Sequence, residues 1–314
     1  MDSSRPQENR DIELSFIIPA LDEEANIGRL IDSIHEQSNG IPHEVIVVDN
    51  GSQDRTPEIA GQKGAQVLKE PKLNISGLRN AGARQSRGNV YIFLDGDIQL
   101  TQEWSEEFPK TLELLKKEKN IITGSRCGIP NDSNFLEKYW FMSLKGNNEK
   151  YINSAHLIIH KELFEKLQGF DPILVTGEDT DLSLRAKEQY NARIINNKKL
   201  HVLHHGYPKN LGAFVKREAW HGTRNNNILD VICCSPVQLA TNIFLILHLI
   251  LLYSVATQMY FLAVASIALT LGLLVASSLY KFGMKPKLVL INGFIFYFYY
   301  FGRSISIFKA LLKI

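Results

Sequence analysis

Residues 231–280 contain no Asp, Glu, Lys or Arg, and this run of 50 uncharged positions limits the fold of the 314-residue chain more than any other feature. A helix of about 20 apolar residues crosses the roughly 30 Å hydrocarbon core of a bilayer, so two spans fit. They fall near 237–255 and 258–280, joined at Ala256-Thr257. Core helices of a soluble protein are the competing reading, and so long a stretch without a charge disfavours it.

Charge gives the orientation. Lys281, Lys285 and Lys287 follow the second span, and the positive-inside rule places them in the cytoplasm. The polar N-terminus lacks the apolar core of a secretory signal. A cytoplasmic domain over 1–230 and a membrane domain over 231–314, in a multi-pass protein of the cell membrane, are therefore expected. The last segment, 288–308, is rich in aromatics (Phe294, Phe296, Tyr297 to Phe301) but holds Arg303. It forms either a third span or an interfacial or re-entrant helix, because a lipid-buried Arg is costly and aromatic rings favour the headgroup level.

From residue 231 onward there are six basic residues and no acidic one, which leaves 35 − 6 = 29 basic against 33 acidic residues before it, a net of −4. A mildly acidic domain without a basic stripe argues against a nucleic-acid partner, whereas a basic apolar tail suits membrane lipids. The 45% hydrophobic content excludes a disordered chain. Cys127, Cys233 and Cys234 form no C-x-x-C pair and read as reduced thiols.

Ahead of the tail, short apolar runs at 14–19, 44–49, 65–69 and 90–95 end at Gly, Pro or Asp, as buried parallel strands do. Amphipathic stretches at 26–37, with Ile27, Leu30, Ile31 and Ile34 on one stripe, and at 76–87 lie between them. The pattern predicts an α/β class with a largely parallel sheet. In such a sheet a ligand lies beyond the carboxyl ends of the strands. Three of those ends are polar: Pro19-Ala20-Leu21-Asp22-Glu23-Glu24, Asp49-Asn50-Gly51-Ser52 and Asp95-Gly96-Asp97. A carboxylate after a buried strand can bond a ribose hydroxyl or base edge, and two carboxylates flanking a small residue can share a hard cation that holds a diphosphate. Gly96 is expected to leave room for the phosphate. Taken alone, Asp49 reads equally as a turn former.

In order and spacing, residues 15–97 resemble the nucleotide-sugar half of family 2 glycosyltransferases, which have the GT-A fold, a Rossmann-like, mostly parallel mixed sheet. Ile18-Pro19-Ala20-Leu21-Asp22-Glu23-Glu24 is similar to that family's opening strand and loop. Val47-Val48-Asp49-Asn50-Gly51-Ser52-Gln53-Asp54-Arg55-Thr56 is similar to its nucleoside-contacting segment, and Gly77-Leu78-Arg79-Asn80-Ala81-Gly82 to the helix before its D-x-D. The resemblance implies that Pro19, Ala20, Leu21, Glu23, Asp49, Arg79, Asp95 and Gly96 face the nucleotide sugar. It implies Asp49 on the base or ribose, Arg79 near base and diphosphate, Asp97 as principal metal ligand, and Asp95 on the ribose or a metal-bound water. A guanidinium and a divalent cation, Mn2+ or Mg2+, would both neutralise the leaving diphosphate.

Gly169-Phe170-Asp171-Pro172 and Gly177-Glu178-Asp179-Thr180-Asp181 look like the family's acceptor-side segment. Asp179 stands where the family places its catalytic base, at the start of a helix predicted over 181–189 with Leu182 and Leu184 inward, and Glu178 stands beside the acceptor. A helix start favours ionised Asp179 while neighbouring acids raise its pKa, so the direction stays open; a plain N-cap is the alternative. Along the strand run His201-Val202-Leu203-His204-His205-Gly206, either His204, which we favour, or His205 is expected as a third metal ligand. Arg217 and Trp220 suit an acceptor-binding interfacial helix, with Trp220 equally a membrane anchor. Lys216-Arg217-Glu218-Ala219-Trp220 departs from the Q-x-x-R-W string of polymer-synthesising members, which argues against processive synthesis. Residues 127–151, with Tyr139, Trp140, Phe141, Asn147 and Asn148, are expected over the acceptor entrance.

The expected reaction is transfer, with inversion, of a sugar from a UDP or GDP sugar to a lipid-linked or glycan acceptor at the cytoplasmic membrane face. A polyprenyl-phosphate acceptor is the alternative. From other classes, a nucleotidyltransferase is disfavoured because its first loop would be Gly-rich and basic. An inactive membrane scaffold is disfavoured because both aspartates of the triplet are present.

Overall fold

The structure, a computed structural model, describes residues 12–38, 40–141, 150–174, 176–222, 235–283 and 286–312. Cys233, Cys234, Asn147, Asn148, Lys285 and the N-terminal ten residues lie outside them. The chain divides into two compact units, one of Met1–Pro130 with Asn147–Gly206 and one of Asn131–Gly146 with Tyr207–Ile314. Within the second unit, Glu137–Phe141 and Leu211–His221 pack against the helix Pro286–Leu312.

The first unit is built on a seven-stranded mixed sheet. Its strands, β1 (Leu14–Ala20), β2 (His43–Asp49), β3 (Gln66–Lys69), β4 (Val90–Leu94), β6 (Ile121–Gly124), β7 (His156–His160) and β8 (Arg193–Asn196), run in the order β3-β2-β1-β4-β7-β6-β8. All neighbours pair parallel except those of β7, which is antiparallel to β4 and β6. A strand buried on both faces is apolar throughout, which is why every residue of β1 and β4 is buried. Helices α1 (Ile27–Gln37) and α4 (Gln102–Lys117) cover one face with Ile27, Leu30, Ile31, Trp104 and Phe108. Helices α3 (Ile75–Gln85), α5 (Lys161–Lys166) and α6 (Glu178–Tyr190) cover the other with Leu78, Phe164 and Leu182. Helix α2 (Thr56–Gln62) links β2 to β3. A small ribbon of β5 (Ile98–Leu100) and β9 (Val202–His204), antiparallel with Ile98 opposite His204, stands beside this sheet. Helix α3 approaches β1 so closely that a Cβ on Gly82 would lie 2.5 Å from Ile17 Cγ2, so only glycine fits there.

The second unit holds α7 (Leu211–His221), α8 (Pro236–Ala256), α9 (Tyr260–Phe282) and α10 (Pro286–Leu312), with a π-helical turn at Glu137–Phe141. Helices α8 and α9 have 21 and 23 residues, about 32 and 35 Å at 1.5 Å per residue. Each, like α10 over Pro286–Lys309, is long and apolar enough to cross a membrane. Arg303 of α10 is not left unpaired. Its guanidinium reaches Glu218 of α7 at 3.2 Å and donates to the His221 carbonyl at 2.9 Å. Close contact is possible because Gly302 faces α7, where a Cβ would stand 2.8 Å from the Val215 carbonyl. Trp140 and Phe141 pack inside this unit: Trp140 against Phe214, Phe296 and Tyr299, with Lys281 Nζ 4.0 Å from its ring centre.

Candidate active site

Because β1, β2 and β4 are adjacent and parallel, their carboxyl ends open on one edge, and Ala20 stands opposite Asp49. The loop after β1 is stitched to the segment after β2. Backbone N–H groups of Asp22, Glu23 and Glu24 donate to Ser52 Oγ, Thr56 Oγ1 and Asp54 Oδ2 at 3.0, 2.7 and 3.0 Å. In return Gln53 and Arg55 N–H donate to Asp22 and Glu24 carboxylates at 2.8 and 3.2 Å. Buried Asp49 accepts from the N–H groups of Gly51 and Ser52, both at 3.2 Å, so it forms a turn at the strand end. Pro19 and Ala20 are buried at the end of β1, and Leu21 is exposed just beyond.

The Asp95-Gly96-Asp97 triplet joins β4 to β5, and its two carboxylates have different partners. Asp95 receives Arg79 Nη2 at 2.6 Å. Asp97 Oδ2 is 3.6 Å from His204 Nδ1 across the β5–β9 ribbon. His205 turns elsewhere, its Nε2 being 2.8 Å from Gln99 Oε1. Of the expected Asp95, Asp97 and His204, the last two lie side by side, while Asp95 faces Arg79. Among the described residues no three of His, Cys, Asp and Glu are grouped so as to hold an ion. The half-exposed Glu23 side chain lies over Gly96, where a Cβ would stand 2.9 Å from its Cγ. Burial, then the charges of Asp97, Asp95 and Asp54, push Glu23 up to about 7. The sequence placed Glu23 in this site but not its contact with Gly96.

On the acceptor side, α6 begins earlier than predicted. Gly177, at φ 80°, is its N-cap, and Glu178 and Asp179 lie in its first turn. Asp179 is therefore not the cap. Leu182 is buried but Leu184 is 50% exposed, because residues two apart on a helix differ by about 200° and cannot share a face. Asp179 itself is buried and accepts from Thr180 N–H at 2.7 Å and Ser154 N–H at 3.4 Å. Burial, then adjacent Glu178, raises it to about 6, against the lowering effect of those N–H groups and of Arg79. Glu178 accepts Arg79 Nη1 at 2.8 Å and Ser154 Oγ at 3.0 Å. In the second unit, Arg217 lies 4.9 Å from the Phe141 ring centre and pairs with Glu218 at 3.1 Å, while Trp220 is 51% exposed.

Parallel strands ending in acidic loops, with a helix carrying carboxylates at the facing edge, define an α/β domain of the GT-A class. More particularly, residues 15–170 match Glycosyl transferase family 2, so the chain carries a domain of that family. It is 30% identical over 188 residues to the glycosyltransferase AglE of Haloferax volcanii, covering 56% of this chain and 61% of that one. It is 31% identical over 120 residues to the dolichol-phosphate mannosyltransferase of Pyrococcus furiosus, covering 37% and 33%. The chain thus spans less than two thirds of the length of these relatives. The mannosyltransferase PcManGT of Pyrobaculum calidifontis, solved with GDP-Man and Mn2+, shares the fold at a TM-score of 0.59 and 16% identity, over 99% of this chain and 91% of that one.

Proposed function

We propose that this protein transfers a sugar from a nucleoside-diphosphate sugar to a lipid-linked acceptor at the cytoplasmic face of a membrane, with inversion. The observation that carries the reading is Asp179. It is one buried carboxylate raised to about 6, held by two backbone N–H groups and tied through Glu178 and Arg79 to Asp95. A single displacement at an anomeric carbon needs one base to take the acceptor hydroxyl's proton, and a carboxyl near 6 is ionised at neutral pH yet basic enough to accept it. Asp49, Pro19, Ala20 and Leu21 would face the nucleoside.

A divalent cation, Mn2+ or Mg2+, fits this edge on a smaller ligand set than the sequence suggested. Asp97 and His204 offer a carboxylate and an imidazole side by side, and such ions complete their shell with phosphate oxygens and water. When bound there, the ion would neutralise the leaving diphosphate. The three apolar helices, and the likeness to a dolichol-phosphate enzyme, support a lipid-borne acceptor. The test is release of nucleoside diphosphate from a panel of UDP and GDP sugars, with Mn2+ or Mg2+ and membrane lipid extract, by wild type and Asp179→Asn. Lipid-dependent release lost in the variant is expected. Equal release by both would remove Asp179 as base and point to an acceptor that is already anionic, a polyprenyl phosphate.

A further inference from the structure

We infer that Arg79 is a positioning residue, which locks the donor-side carboxylate Asp95 to the acceptor-side turn at 178–179, and is not a ligand of the nucleotide. Its side chain is 2% exposed, and its two Nη groups are divided between Asp95 at 2.6 Å and Glu178 at 2.8 Å. These carboxylates are far apart in sequence and come from opposite halves of the site. A planar guanidinium presents separate nitrogens to two such partners in a fixed fork, whereas an ammonium would have to meet both from one nitrogen. Turning from Glu178 to a diphosphate would leave that buried carboxylate, 8% exposed, without its cation, which is strongly unfavourable, and turning from Asp95 would break the shorter of the two ion pairs.

The same helix fixes the rest of the acceptor segment, which gives the assignment a second footing. Asn80 Nδ2 donates to the Phe170 carbonyl at 2.7 Å, and Asn80 Oδ1 accepts the Phe170 N–H at 2.9 Å. Asn74 Nδ2 donates to the Pro172 carbonyl at 2.7 Å, and Ser76 Oγ to that of Leu174 at 3.1 Å. The Phe170 ring in turn lies under the guanidinium, 5.8 Å from its carbon. Helix α3 thus acts as the splint between donor and acceptor sides, and among the described residues Arg79 is the cation on it that joins both. The kinetic consequence rests on the transferase reading above; the structural one does not.

The experiment is a double-mutant cycle of Arg79→Met and Glu178→Gln, read first by thermal unfolding without substrate. A strut predicts that Arg79→Met lowers the midpoint by about 5 °C or more and that adding Glu178→Gln restores part of the loss, because the two changes share one interaction. Calorimetric titration with UDP and GDP should give affinities within about threefold of wild type, while turnover falls at least about tenfold at saturating donor. Strictly additive melting effects together with a tenfold or greater loss of nucleotide affinity would overturn the assignment in favour of a diphosphate ligand. Should Arg79→Met fail to fold, Arg79→Lys takes its place, keeping the charge but holding one carboxylate, with the same predicted split between turnover and affinity. If no sugar is transferred by the wild type, the melting cycle and nucleotide titration still decide the role of Arg79.

Discussion

Gly206 approaches Asp97 so closely that a Cβ built on it would stand 1.7 Å from the carboxylate Oδ2. Its φ is not among the positive ones, so the position requires glycine for space and not for conformation. The strap after β9 therefore seats the Asp97 side chain from behind, while His204 stands beside it.

Gly206→Ala should consequently displace the Asp97 carboxylate while leaving the sheet intact. A misplacement of about 1 Å at a reacting centre lowers turnover by roughly a hundredfold. The expected result is that loss with an unchanged far-UV spectrum, and weaker Mn2+ binding by paramagnetic resonance. Wild-type turnover in this variant would show that the carboxylate's position is immaterial.

Chelation offers an independent check on the same edge. Release of nucleoside diphosphate should stop with EDTA and return with Mn2+ or Mg2+ in the wild type, and should not return in Asp97→Ala. Activity indifferent to chelator would remove the cation from the mechanism.

The strands and helices around this edge were legible because burial writes itself into sequence. The runs at 14–19, 44–49, 65–69 and 90–95 became β1 to β4, and the uncharged stretch became α8 and α9. What could not be read was the pairing of charges far apart along the chain. Nothing near Arg79 reveals that it will meet Glu178, 99 positions away, and nothing near Arg303 reveals Glu218. The Arg79 partner of Asp95 was hidden for the same reason. Leu184 was a different kind of error, a strand-like spacing of two applied to a helix. Glu23 was expected at this site, but its place over Gly96 was not legible, because the gap left by a missing side chain is filled by whichever neighbour the fold supplies.

The raised carboxyl of Asp179 fixes the sign of a pH effect. Its ordinary value is 3.8 and burial beside Glu178 brings it to about 6, so the folded protein holds this proton more tightly than the unfolded chain. Stability from this group is fully present below about pH 4 and declines as pH rises to about 6. The full decline is on the order of 3 kcal/mol at 1.4 kcal/mol per unit. Asp179→Asn carries no such charge, so its melting midpoint relative to wild type should rise between pH 4 and 7. Turnover should move the opposite way: wild-type kcat/KM falls as pH drops through about 6, where the base becomes protonated, and the variant loses on the order of a thousandfold. A melting difference that is flat across this range would show that the carboxyl titrates normally.

In the second unit Glu218 is buried between Arg303 of α10, at 3.2 Å, and Arg217, at 3.1 Å. Removing Arg303 leaves the carboxylate with Arg217 alone, whose side chain is 36% exposed and so screened by solvent. Breaking a buried pair by deleting one partner costs about 3 kcal/mol or more, whereas replacing both by apolar groups is often neutral. Arg303→Leu should accordingly lower the melting midpoint of the detergent-purified protein by several degrees, and Arg303→Leu with Glu218→Leu should recover most of it. The recovery, rather than the loss, is the informative outcome. An apolar pair would keep α7 on α10 through the close approach at Gly302, where a Cβ would meet the Val215 carbonyl at 2.8 Å. A double variant no more stable than Arg303→Leu would mean that the carboxylate, and not the packing, holds α7 in place.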